Sequence, residues 1–122
     1  MPGSRRDPSE LLPLTSAMFH VLVALADSDQ HGYAIIKTVA RHTGDRVVLS
    51  TGTLYGIIKR LLAEGLIVES ARRPAAALDD ERRRYYRLTD FGRRVAVAEA
   101  ERLEQMIAVV RATHLLGEPG TA

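Results

Sequence analysis

The chain has 122 residues, 46% of them hydrophobic, and a formal net charge of +2, which allows one domain with a modest core and one appended element. It contains no cysteine, so disulfides, thiolate catalysis and the usual structural zinc ligands are excluded together. No apolar run approaches the roughly 18 residues that cross a bilayer, and residues 1–13 lack an apolar core ahead of a cleavage site; no membrane association and a cytoplasmic location are therefore expected.

Residues 1–13 carry three prolines with Gly3, Arg5, Arg6 and Asp7 and show no periodicity that would bury a face. They are expected to form a flexible arm, favoured over the alternative in which Arg5 and Arg6 touch phosphate. From Thr15, residues Met18, Val21, Leu22 and Leu25 continue the spacing begun by Leu14 and predict a first helix ending near Asp27, Ser28 and Asp29. A second helix follows His31-Gly32-Tyr33, buries Ile35, Ile36, Val39 and Ala40, and stops at Thr43-Gly44.

The third helix organises the chain. Leu54, Ile57, Ile58, Leu61 and Leu62 recur at the spacing of one helical stripe, with Ser50 as N-cap and Gly65 as the stop. On the opposite face lie Gly52, Gly56, Lys59 and Ala63, with Thr53, Arg60 and Tyr55 beside them. Two glycines inside a helix cost roughly 1 kcal/mol each relative to alanine, so this face is expected to lie against something other than solvent. The major groove of DNA fits: small residues permit close approach, and the others donate hydrogen bonds.

Residues 66–69 read as a short strand, residues 74–81 as a loop opened by Pro74 and closed by acids, and residues 83–88 as the returning strand. The three alanines at 75–77 also suit a local helical turn. Period two places Tyr86 and Leu88 with Arg84 on one face, and Arg83, Tyr85 and Arg87 on the other. Thr89 then caps a last helix expected to reach about His114, roughly 39 Å at 1.5 Å per residue. Leu103, Met106, Ile107 and Val110 keep helical spacing beyond the reach of the core, and a second copy of the chain is the surface expected to cover them.

This order matches the winged helix-turn-helix, in which the recognition helix enters the major groove and a β-hairpin wing follows. The fold class expected is mainly α with a small β-hairpin and a long C-terminal dimerisation helix. Thr51, Thr53 and Tyr55 are candidates for reading bases, Lys59 and Arg60 for phosphate or guanine, and Arg72, Arg73, Arg82, Arg83 and Arg84 for phosphate at the base of the wing. Tyr33 suits either a phosphate contact or packing on Leu54 or Leu61, and Tyr55 either a DNA contact or the shoulder of the core. His20, His31, His42 and His114 lack paired metal spacing, no base accompanies Ser50, and no phosphate-binding glycine loop is present. No catalytic residue, metal or cofactor is expected. A winged-helix module that binds protein through the same face is the alternative to a sequence-specific DNA binder.

Four blocks, His31-Gly32-Tyr33, Ser50-x-Gly52-Thr53-Leu54-Tyr55, Leu61-x-x-x-Gly65-Leu66-Ile67 and Tyr85-Tyr86-Arg87-Leu88-Thr89-x-x-Gly92, resemble the PadR-like transcriptional regulators from about Leu14 to the middle of the last helix. The resemblance implies a homodimeric, usually repressing protein on double-stranded DNA, released in many members by a small effector. It favours a DNA contact for Tyr55. It also implies the short subtype, dimerising through the last helix with help from the first. The expected organisation is an arm at 1–13, a DNA-binding domain at 14–88, a dimerisation helix at 89–115 and a disordered tail at 116–122. Met18, Leu22, Leu103, Met106, Ile107, Val110 and His114 are the expected dimer contacts, with core packing the alternative for Met18, Met106 and Ile107, and the seam they form is where a small apolar effector would enter. The chain departs from the family in a wing tip with three acids and no glycine, which puts the wing's basic base rather than its tip against phosphate. It also has no tryptophan, which argues against a pocket for planar drugs.

Overall fold

A computed structural model describes residues 6–70 and 84–116. A 3₁₀ turn, Pro8–Leu11, leads into α1 (Ser16–Ala24), β1 (Gln30–His31), α2 (Gly32–His42), α3 (Thr51–Ala63), β2 (Ile67–Glu69), β3 (Tyr85–Leu88) and α4 (Asp90–Ala112). Each long helix begins with a side-chain cap. Thr15, His31 Nδ1, Ser50 and Thr89 accept the N–H of Met18, Ala34, Thr53 and Gly92 respectively, satisfying donors that the first helical turn otherwise leaves open.

The core joins Val21 and Leu22 of α1, Ile35 and Val39 of α2, Leu54, Ile58 and Leu61 of α3, then Leu66, Ile67, Tyr86 and Val95. The expected hairpin is present and antiparallel, with Ile67 opposite Leu88 and Glu69 opposite Tyr86. A third strand joins it, because Gln30 and His31 pair with Tyr86 and Tyr85 to give the order β1-β3-β2. Two residues are too few for a period-two pattern. Gln30 is held by polar contacts instead, donating to the Ala24 carbonyl at 2.6 Å and accepting from Thr38 at 2.9 Å.

The N-terminal segment corrects the expectation of a flexible arm over its described part, residues 6–13. Asp7 caps the 3₁₀ turn by accepting from the Ser9 N–H and hydroxyl, which holds its carboxyl below the usual range. Leu11 and Leu12 are half-buried against the core. Irregular backbone docks through such isolated anchors without producing a periodic apolar pattern. The last helix also stops two residues short of His114. The Thr113 hydroxyl donates to the Val110 carbonyl, and His114 follows at φ 63°.

Glu99 is buried on the inner face of α4 at 2% exposure. It accepts from the Leu14 N–H at 3.1 Å and from Arg102 Nε at 2.5 Å, a pairing that makes burial of the charge tolerable. Arg102 holds the carboxyl below its ordinary pKa against the upward push of burial, and the Leu14 N–H adds to the lowering. Because the folded pKa lies below the unfolded one, this stabilisation is present above the unfolded value and fades as pH falls through the folded one. Glu99→Gln should therefore flatten the acid limb of a stability-against-pH curve. Glu99→Ala, which leaves the Leu14 N–H unpaired, should cost about 1–3 kcal/mol by denaturant titration. Acid limbs that coincide in wild type and Glu99→Gln would remove Glu99 from the account.

Candidate nucleic-acid interface

The exposed side of α3 presents Thr51, Gly52, Thr53, Gly56, Lys59, Arg60 and Ala63, and the helix contains no acidic residue. A Cβ built on Gly52 or Gly56 would meet nothing within 4 Å. The chain's own packing therefore does not demand glycine at either position, although each weakens the helix. Ser50 accepts the Thr53 N–H at 3.1 Å and donates its hydroxyl to Thr53 Oγ1 at 2.9 Å. This bond orients the Thr53 hydroxyl, while helix geometry leaves the Thr51 and Gly52 N–H groups open at the positive end of the helix dipole, where an anion is favoured.

The structure separates residues that the helical wheel had left together. Tyr55 is half-buried, and a Cβ on Gly32 would lie 2.5 Å from its hydroxyl oxygen and 2.9 Å from Cζ. Its ring thus fills the space left by the missing side chain at the start of α2. Tyr55 is thus a shoulder of the core that ties α2 to α3, the packing alternative of its sequence reading. Burial raises the pKa of the adjacent Tyr86, and Tyr55 and Glu69 raise it further, leaving a neutral phenol. Tyr33 goes the other way, at 61% exposure rather than packed on Leu54 or Leu61. The Lys37 ammonium lies 4.7 Å from its ring centroid. Lys37 was absent from the sequence-derived set, although its i, i+4 spacing from Tyr33 on an exposed helix face is a readable signal.

Lys59 lies on the glycine side of α3, whereas Arg60 points about 100° away. Arg60 lines a cavity of about 60 Å³ with Leu11, Leu14, Met18 and Glu64. At the wing, Arg84 pairs with Glu69 at 3.0 Å, which offsets part of its charge. Arg72, Arg73, Arg82 and Arg83 lie outside the described residues, as does most of the expected tail.

Among the expected dimer contacts, Leu22 is placed inside the chain's own core at 0% exposure, and so is Met18 at 8%, the core alternative of its sequence reading. Helix α1 is apolar on nearly every side, so its sequence did not show which residue faces out. Phe19 does. It lines an apolar groove of about 520 Å³ with Ala100, Leu103, Glu104, Ile107 and Arg111. Leu103, Met106 and Ile107 are exposed, Val110 is half-buried, and His114 is exposed beyond the helix end.

The model of the "Transcriptional regulator PadR-like family" matches residues 21–98. The chain belongs to the PadR-like family. It is 38% identical over 87 residues to "Transcriptional regulator Rv3488" of Mycobacterium tuberculosis, covering 71% of this chain and 75% of that one. A transcriptional regulator from Clostridium thermocellum superposes with a TM-score of 0.65 at 27% identity, over 78% of this chain and 89% of that one. Bacillus subtilis PadR, solved in complex with operator DNA, shares the fold at a TM-score of 0.59 and 22% identity, over 75% of this chain and 48% of that one. The PadR-like chain is thus a winged helix with a long C-terminal helix, and no described helix is long and apolar enough to cross a membrane.

The packing role of Tyr55 is open to a double-mutant cycle. Gly32→Ala should destabilise the fold by about 1–3 kcal/mol through overpacking, and by clearly less in a Tyr55→Ala background. Additive costs would show that Tyr55 does not fill the Gly32 gap.

Proposed function

We propose that this PadR-like protein is a sequence-specific, DNA-binding transcriptional regulator that acts as a homodimeric repressor on a pseudo-palindromic operator. The observation that carries the reading is the outer face of α3, where Gly52 and Gly56 leave open space beside exposed Thr51, Thr53 and Lys59. A helix that gives up stability at two positions its own fold does not require is suited to close approach by a groove. Thr51 and Thr53 then read bases, and Lys59 contacts phosphate. Tyr33 and Lys37 reach the backbone from the start of α2, with Arg60 and the wing arginines adding affinity. The operator complex of Bacillus subtilis PadR supports DNA as the partner.

The homodimer is supported by the distal half of α4. Leu103, Met106, Ile107 and Val109 are each 38–58% exposed, apolar side chains gathered on the half of the helix that the core does not cover. Continuity with Phe19 across the groove gives the second copy an apolar seat. An apolar effector entering this seam, oriented by Glu104 and Arg111 at its rim, would change the spacing of the two recognition helices and release the operator.

Two substitutions test the assigned face by separating stability from binding. Gly56→Ala should raise folding stability by about 0.8–1 kcal/mol and weaken operator affinity. Lys59→Ala should leave stability unchanged and lower the log–log salt slope by about one unit. Unchanged operator affinity in both variants by a mobility assay would remove α3 as the DNA-binding element.

A further inference from the structure

The turn that ends α3 is held from two sides. From α4, the Thr89 hydroxyl donates to the Gly65 carbonyl at 2.7 Å and the Thr89 N–H to the Leu66 carbonyl at 3.1 Å. From the N-terminal segment, Arg6 donates through Nη1 to the Glu64 carbonyl at 2.6 Å and through Nη2 to Glu64 Oε1 at 2.8 Å. Its guanidinium carbon meanwhile lies 4.7 Å from the centroid of Phe91, in the first turn of α4. One side chain thus joins three parts of the fold: its own segment, the C-cap of the recognition helix and the start of the long helix.

The segment itself is anchored a second time, where the Leu14 N–H meets Glu99. Phe91 and Glu99 are eight residues apart, about 12 Å along a helix, so residues 6–14 form a strap fixed along α4 at both ends. We propose that Arg6 is a positioning residue for operator recognition, locking the orientation of α3 to the helix that carries the dimer contacts. This rests on the homodimeric DNA-binding reading above. The guanidinium edge is occupied by Glu64 and its face by Phe91, and it sits at the C-terminal end of α3, a helix length from the residues that read bases. Arg6 therefore acts through α3 and makes no phosphate contact. The pair with Glu64 is half exposed and contributes little to global stability. Its effect is on orientation.

The test compares wild type, Arg6→Ala and Arg6→Lys on the selected operator and on versions with one base pair added to or removed from the half-site spacing. Arg6→Ala should bind the native spacing about three- to tenfold more weakly and discriminate less between spacings, with an unchanged salt slope and little change in thermal midpoint. Arg6→Lys, which keeps a cation and a donor, should recover part of both. A salt slope lowered by one unit would instead make Arg6 a phosphate contact, and an equal loss on all spacings would make it merely structural. Either result overturns the proposal. Hydrogen exchange on the free protein separates this from failure of the functional reading. Faster exchange at Leu66 and Thr89 in Arg6→Ala upholds the tie even if wild type selects no operator, and unchanged exchange overturns it.

Discussion

Gly92 lies so close to the Leu66 carbonyl that any side chain there would collide with backbone, and Thr89 closes the same junction with bonds to the Gly65 and Leu66 carbonyls. The turn that ends α3 thus packs directly on the first turn of α4. Backbone contact of this kind is stiff, because neither partner has a rotamer through which to yield. The direction of α4 is therefore set at the turn after α3, which Arg6 also grips, and in the proposed dimer a partner that holds the far half of α4 also aims α3. The regulator reading depends on this coupling, since two half-sites are recognised together only when the two reading helices keep a defined separation.

Packing and the proposed recognition draw on different parts of α3. Leu54, Ile58 and Leu61 are fully or almost fully buried and secure the helix to α1 and α2. The opposite face carries two glycines that contribute nothing to packing, a hydroxyl oriented by the cap, and one lysine for which no carboxylate partner is present among the described residues. Tyr55 marks the boundary between the two. Its ring replaces a side chain that Gly32 does not have, so the start of α2, with exposed Tyr33, is held in a fixed relation to α3.

The third helix was legible because three independent signals agreed on it: the apolar stripe, the Ser50 cap and the Gly65 stop. The hairpin and the start of α4 were legible for similar reasons. Other features left no periodic trace. Strand β1 is two residues long, and the N-terminal strap docks through Arg6, Leu11, Leu12 and the Leu14 N–H, contacts that no repeat announces. Helix wheels assign angles but not neighbours, so the wheel alone leaves Tyr55, at the edge of the stripe, open between a DNA contact and the shoulder of the core. The resemblance implies a dimer contact from the first helix, and because α1 is apolar almost all round, only packing distinguishes its inner residues such as Leu22 from Phe19.

The central claim is that the glycine-flanked face of α3, held at a fixed spacing by α4, reads DNA sequence. Selection of bound duplexes from a random pool by the purified protein tests this most directly. The account predicts enrichment of a pseudo-palindrome whose half-sites lie about one helical turn, roughly 10 base pairs, apart. Recovery of sequences no better bound than random competitor would contradict it.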